Sequence, residues 1–317
     1  MMNKVLDALK KMNDFAILTH LNPDGDALGS SFAMKRSLEV SGKSADLYIA
    51  SEKLPPRYAF LSDGASFINE WKDGKNYECI ICLDCAARYR LGIFQDMLNK
   101  AGTVLNIDHH ETNDGFGDIN LILDRASTGE IVFEILKALD WEIVPYTANA
   151  LYTAISTDTG RFAYESVSKG TFLAAAELCD HGLDIPFVSN EVFFSRTMDA
   201  TRMYGIVIEN METFFDGSVA ISHITSEDIK DLAIEGSDYE NAIDVIREIH
   251  GINVAVFMRE LRSNRFKVSF RSKKDVDVAA VAAAFGGGGH KRAAGCSVDG
   301  ELYEVRDRVI DLLKGFV

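Results

Sequence analysis

Short apolar runs in the first third of this chain repeatedly end on an Asp or a His, and that recurrence limits the fold more than any bulk property. Phe15-Ala-Ile-Leu-Thr19 runs into His20, Asp24 and Asp26, and Cys79-Ile-Ile-Cys-Leu83 runs into Asp84. Val104-Leu-Asn-Ile107 runs into Asp108, His109 and His110, and Asp158 follows the apolar stretch from Leu151 to Thr157. Continuous apolar runs bounded by turn residues read as strands buried on both faces. Strands are expected at 14–19, 44–50, 78–83, 103–107 and 118–122, with helices near 2–12, 27–41 and 88–99. The alternation predicts an α/β fold with a mostly parallel, helix-covered sheet. Ligands of such open sheets sit at the carboxyl ends of the strands, so the four Asp/His groups can converge on one crevice.

Their chemistry follows from the donor types. His20, Asp24, Asp26, Asp84, His109 and Asp158 offer carboxylate oxygen and imidazole nitrogen without thiolate, a set suited to Mn²⁺, Mg²⁺ or Fe²⁺. So many carboxylates in one crevice would repel each other unless cations neutralise them. Taken singly, His20 to Asp26 reads as an Asp-rich turn capping a helix, and Asp84 as a strand-end cap. Their coincidence at four places favours a two-metal hydrolase, in which paired cations acidify water and neutralise phosphoryl oxygens. Asp84, with two oxygens, is the candidate bridge. The Asp of the Asp108-His109-His110 triplet can fix an imidazole tautomer from behind. His181, His223 and His250 stand singly at element ends and read as structural or surface residues.

With 317 residues, of which 47% are hydrophobic, the chain can build two cores. No apolar stretch approaches the length of a bilayer span, and the N-terminus lacks the layout of a signal peptide, so a cytoplasmic location is expected. Five cysteines without an even framework fit a reducing compartment. Cys79, Cys82 and Cys85 repeat a C-x-x-C spacing, but on a buried strand Cys79 and Cys82 face opposite sides and read as ordinary buried thiols.

Ser127-Thr-Gly-Glu130 is a capping-box signature for a helix at 131–139, with further helices near 146–157 and 168–180. Pro186 ends this pattern. The expected division is a catalytic domain at 1–186, a helical connector at 187–212 and a smaller mixed α/β substrate-binding domain at 213–317, with the active site in the cleft between. The second domain has strands expected at 217–222, 252–259, 266–271 and 293–298, and helices near 238–249, 276–285 and 301–315. Net charge is −15, yet Arg259 to Arg292 holds nine Lys/Arg against three acids. A basic patch beside an acidic crevice suits a small anion better than a long polymer. Arg271 and Ser272 end a strand there, and Gly286-Gly287-Gly288-Gly289-His290 follows. It is not a P-loop, since no Gly-Lys-Ser/Thr follows. Gly287, Gly288 and Gly289 could offer backbone N–H groups to phosphate, and His290 a further donor.

These motifs resemble the DHH phosphoesterase family: His20-x3-Asp24-x-Asp26, the lone Asp84, Asp108-His109-His110, and Asp158 within Thr157-Asp-Thr-Gly-Arg-Phe162. Phe270-Arg-Ser272 and Gly286-Gly-Gly-Gly-His-Lys-Arg-Ala-Ala-Gly295 resemble its DHH-associated domain. The resemblance covers essentially the whole chain, and the size is similar to the oligoribonuclease/pAp phosphatase branch. It implies that His20, Asp24 and Asp84 hold one Mn²⁺, and that Asp26, Asp84, His109 and Asp158 hold the other. It also implies that His110 contacts the scissile phosphate and that Arg271, Ser272, Gly287, Gly288, Gly289 and His290 hold the substrate. The implied substrates are short RNA, linear dinucleotides such as pApA, and pAp, without a membrane partner; a homodimer is compatible. A RecJ-like single-strand exonuclease, a pyrophosphate or polyphosphate hydrolase and a catalytically silent nucleotide sensor are the competing readings.

Overall fold

A computed structural model describes residues 1–71, 74–234, 236–239, 242–273 and 276–316, and of Ser237 and His290 the backbone alone. The chain divides into two compact units, Met1–Ser195 and Arg196–Val317.

The first unit is built on β1 (Asp14–Leu18), β2 (Ser44–Tyr48), β3 (Tyr77–Leu83), β4 (Ala101–Asp108) and β5 (Ile119–Ile122). All pair in parallel, in the order β2-β1-β3-β4-β5. The connections change direction between β1 and β3, the point at which doubly wound sheets open a crevice beyond their strand ends. Its helices are α1 (Met2–Lys11), α2 (Gly25–Val40), α3 (Thr128–Leu139), α4 (Pro145–Asp158), α5 (Lys169–Asp180) and the short α6 (Ile185–Ser189).

Because side chains alternate along a strand, each apolar run feeds two cores. Phe15, Ile17, Cys79, Ile81 and Leu105 pack with residues of α1 to α4. Ala16, Leu18, Ile80 and Cys82 pack on the opposite face with Leu91, Phe94 and Met97. Cys79 and Cys82 are thus buried thiols on opposite faces, as their spacing predicts; burial pushes the Cys79 thiol up to about 12. The helix expected at 88–99 is instead a pair of 3-10 turns over Arg88–Lys100, broken at Gly92 (φ 57°). Only glycine fits there, since the backbone is left-handed and a Cβ would lie 2.4 Å from the Leu21 side chain.

The second unit has a six-stranded sheet in the order β10-β11-β9-β8-β7-β6. Its strands are β6 (Glu212–Phe214), β7 (Val219–Ile224), β8 (Val254–Arg262), β9 (Arg265–Ser272), β10 (Gly288–His290) and β11 (Ala293–Asp299). Only β7 and β8 pair in parallel. Helices α9 (Val278–Ala283) and α10 (Leu302–Leu313) cover one face, and α7 (Met198–Glu209) and α8 (Ala242–Arg247) the other. The connector expected at 187–212 is no single element. Val188 and Val192 join the first unit's core, whereas Met203, Tyr204 and Val207 join the second's. Among the described residues no helix is long and apolar enough to cross a membrane.

Contact between α2 and α4 fixes much of the first unit. A Cβ on Gly29 would stand 2.4 Å from the Ala150 carbonyl oxygen, and one on Gly25 2.4 Å from Thr157 Oγ1. Replacing a helical glycine by alanine ordinarily stabilises by about 0.5–1 kcal/mol. Here the methyl meets helix backbone, and overpacking of that kind costs about 1–3 kcal/mol. Gly29→Ala is therefore expected to lower the midpoint of chemical denaturation; an unchanged or raised midpoint would show that α4 yields easily.

Candidate metal centre

Each ligand-type side chain is delivered by the end of an element. His20 and Asp24 lie in the turn after β1, where Asp24 caps α2 by accepting the N–H groups of Asp26 and Ala27, both at 3.1 Å. Asp26 then sits in the first turn of α2. Asp84 follows β3 in the left-handed region (φ 54°), which Asp tolerates better than most residues. Its N–H still bonds Ile107 of β4 at 3.1 Å. Asp108 closes β4, His109 and His110 follow it, and Asp158 ends α4. A carboxylate at a helix C-terminus faces the negative end of the dipole, so Asp158 gains from a nearby cation.

These residues form two groups linked through a third, Asp84, Asp108, His109 and His110, which shares Asp84 with one and His109 with the other. The ligand atoms of His20, Asp24 and Asp84 lie within 4.8 Å of one another, as do those of Asp26, His109 and Asp158. His109 Nε2 stands 3.8 Å from Asp26 Oδ2, 3.6 Å from Asp84 Oδ1 and 3.4 Å from Asp158 Oδ2. His20 Nε2 is 3.7 Å from the other Asp84 oxygen, Oδ2. Asp84 therefore presents one carboxylate oxygen to each group.

Half of this constellation is buried, His20, Asp26 at 1% exposed and Asp84 at 2%; His109 and Asp158 are half-buried, and Asp24 lies at the exposed rim. Burial and the charges of Asp84, Asp158 and Asp24 hold the Asp26 carboxyl well above its ordinary value, against the pull of the Thr128 N–H. Burial also lifts Asp158 to about 7, with Asp84 and Asp24 adding to it and His109 opposing. Asp84 goes the other way, to about 2: burial is overcome by its contact with His20 and the charges of His110 and His109. Burial likewise opposes charge on His110, but the bond to Asp108 and the Asp84 charge lift it to about 9. An oxygen- and imidazole-rich, mutually repelling set of this kind fits divalent cations, and the clusters can hold them.

Sequence patterning passed over the residues that aim these ligands. Thr128 and Gly129, at the start of α3, donate backbone N–H groups to Asp26 Oδ2 at 2.7 Å and Oδ1 at 2.9 Å. The Thr128 hydroxyl donates to Asp84 Oδ1 at 3.1 Å. Ser127 caps α3 through the Glu130 N–H, but the reciprocal half of the expected capping box is absent; Glu130 accepts from the Thr171 hydroxyl and the Ala126 N–H instead. The signal was present in Ser127-Thr-Gly-Glu130, read as a helix start and not as an anion-binding one. Behind His110, Asp108 Oδ1 accepts from Nδ1 at 2.8 Å.

The other predicted residues belong to the second unit. Arg271, on β9, donates to the Phe270 carbonyl, and the buried Ser272 hydroxyl donates to Val276. Gly286 and Gly287 are not bare: their N–H groups bond Ala283 and Ala282 at the end of α9. Gly288, Gly289 and His290 form the edge strand β10; the His290 side chain lies outside the described residues.

Residues 14–157 match the model of the DHH family N-terminal domain, and residues 216–317 match that of the DHHA1 domain. The chain is 31% identical to the bifunctional oligoribonuclease and PAP phosphatase NrnA of Thermus thermophilus, over 99% of this chain and 93% of that protein. It is 24% identical to the Bacillus subtilis protein of the same name, over 92% and 90%. An exopolyphosphatase-related protein of Bacteroides fragilis shares the fold, with a TM-score of 0.92 at 24% identity over 99% of this chain and 96% of that one.

The charge pattern predicts how the metal-free protein responds to pH. Two carboxyls with raised values, Asp158 at about 7 and Asp26 well above its ordinary range, hold more protons folded than unfolded, so their contribution is lost as pH rises through the folded value. His110, raised to about 9, contributes stability that is likewise lost as pH rises through that value. Chelated protein should therefore melt at a lower temperature near pH 8 than near pH 5, and a divalent cation should raise the melting temperature more at the higher pH. Thermal scans with chelator or metal at both pH values decide it; a metal-induced rise that is larger at the lower pH would contradict the crowding.

Proposed function

This chain belongs to the DHH family of phosphoesterases, and from that premise we propose that it hydrolyses short oligoribonucleotides, including linear dinucleotides such as pApA, to mononucleotides, and pAp to AMP. The observation that carries the chemical part is the sharing of Asp84 between two ligand groups, one oxygen toward His20 and the other toward His109. His20, Asp24 and Asp84 would hold one divalent cation, and Asp26, Asp84, His109 and Asp158 the second, with Mn²⁺ best suited to the mixed oxygen and imidazole donors. When bound, such a pair supplies Lewis acidity toward the phosphoryl group and toward water.

The chain's own residues supply the rest. Thr128 and Gly129 hold the Asp26 carboxylate by both oxygens, and the Thr128 hydroxyl orients Asp84. His110, tied at Nδ1 to Asp108, presents its other nitrogen as a donor to a phosphoryl oxygen on which charge develops. Arg271, with Gly288, Gly289 and His290, would bind the nucleotide part; Ser272 and Gly287, whose donors are engaged by Val276 and Ala282, would shape the pocket without donating to the ligand. The names of the relatives supply the substrate class.

Two substitutions should separate these roles. Asp84→Ala should cost more than tenfold in rate on every substrate and reduce the metal bound per chain, since both ligand groups lose a donor. Arg271→Ala should raise KM for nucleotides and leave metal content unchanged. Metal loss in the Arg271 variant, or near-normal turnover without Asp84, would overturn the division.

Substrate length tests the reading as a whole. Positive charge is concentrated between Arg259 and Arg292 in a chain of net charge −15, so longer strands gain few phosphate contacts. Metal-loaded protein should cleave pAp and dinucleotides, and kcat/KM should fall as RNA lengthens toward about ten nucleotides at fixed salt. Equal or rising efficiency with length would favour a RecJ-like exonuclease, and preference for pyrophosphate a pyrophosphatase.

A further inference from the structure

Asn113 lies three residues beyond His110, and its N–H bonds the His110 carbonyl at 3.2 Å, so the chain turns back toward the end of β4. Its side-chain amide then meets four partners. Nδ2 donates to Asp108 Oδ2 at 2.6 Å and to the Cys85 carbonyl at 3.1 Å. Oδ1 accepts the Gly115 N–H at 2.8 Å and Asn106 Nδ2 at 3.0 Å. That is the whole hydrogen-bonding capacity of a primary amide. The two ends cannot be exchanged, because the oxygen would then face a carboxylate and a carbonyl, and the NH₂ two donors.

Each partner has a consequence. Asp108 is fully buried, and its other oxygen accepts both the His109 N–H at 2.9 Å and His110 Nδ1 at 2.8 Å. Cys85 directly follows Asp84, and the next residue along, Asp114, donates its N–H to Ala86 at 2.9 Å. Residues 113 and 114 therefore stitch the loop after β3 to the loop after β4. We infer that Asn113 is a positioning residue for His110: it holds Asp108 by Oδ2, so that Oδ1 stays on the imidazole Nδ1, and it fixes the Asp84 loop against the same ring. His110 Nδ1 stands 3.6 Å from Asp84 Oδ1, and past the last β3–β4 contact, the Asp84 N–H to Ile107, residues 113 and 114 hold the two loops at that spacing. Neither serine nor alanine can fill all four contacts. Aspartate would set a carboxylate against Asp108.

The role of His110 toward phosphate rests on the proposed phosphoesterase activity; the hydrogen-bond role of Asn113 does not. Two measurements keep them apart. In metal-free protein, the His110 Nδ1 proton should give a downfield proton resonance, assigned by its loss in His110→Gln. Asn113→Ala should broaden or remove that resonance, and an unchanged resonance overturns the inference. In metal-loaded protein, Asn113→Ala should lower kcat by about 10- to 100-fold, as loss of an outer hydrogen-bond partner does. KM and metal content should change little, and Asn113→Ser, which keeps a donor, should recover part of the rate. Made in a His110→Ala background, Asn113→Ala should add less than about threefold, because both changes act through one ring. An equal loss in both backgrounds overturns the inference, as does loss of metal. Should Asn113→Ala fail to fold, the same cycle is run with Asn113→Ser. A wild-type protein that cleaves no nucleotide would refute the proposed function and leave the proton resonance to judge Asn113.

Discussion

Mutual repulsion among carboxylates at the carboxyl edge of the first sheet is the constraint to which the surrounding structure answers. Asp26 and Asp84 are almost wholly buried, and Asp158 stands beside them at a helix C-terminus. Buried unpaired charges are too costly to persist without compensation. Part of the compensation is built in: two backbone N–H groups from the first turn of α3 meet Asp26, a hydroxyl meets Asp84, and three imidazoles surround Asp84. It is incomplete, since Asp26 stays well above its ordinary value and Asp158 reaches about 7. The remainder is electrostatic work that divalent cations, if bound there, would do, and their affinity would then depend on pH.

Backbone packing decides where those carboxylates can be. Gly25 and Gly29 let α2 lie directly on α4, and a Cβ on Gly129 would come within 2.4 Å of Ala154. Three helix ends are thereby drawn to one place: the start of α2 with Asp26, the start of α3 with Thr128 and Gly129, and the end of α4 with Asp158. Bulkier residues at these glycines would separate the helices and with them the ligand groups. The core glycines and the metal centre are thus one design problem, in which close packing sets ligand spacing.

Much of the architecture was legible because parallel strands buried on both faces must be continuously apolar, and chemistry placed at their ends interrupts those runs abruptly. The three inner strands, β1, β3 and β4, and the Asp/His groups at their ends were read from that rule, while the edge strands β2 and β5, with polar residues inside them, were placed by the alternation of elements. The helix expected at 88–99 does not form: the chain breaks at Gly92 in a left-handed conformation, and Leu21, seventy-one residues away in sequence, leaves no room there for a Cβ. The glycine run, expected to offer backbone N–H groups to phosphate, is partly spent in closing α9 and partly in the edge strand β10. Thr128 was hidden in a helix-start signature whose second function appears only when Asp26 and Asp84 arrive beside it.

By itself the sequence determined the periodicities, the identity of the donor atoms and the charge balance, since these are properties of local order and composition. Only the tertiary structure decided that the two oxygens of Asp84 face different ligand groups, that α3 directs its N–H groups at Asp26, and that Asn113 holds Asp108 by Oδ2. Those pairings join residues from different strand ends, and hydrogen-bond geometry at about 3 Å depends on how whole elements pack. Local pattern carries no record of that packing until the chain has closed on itself.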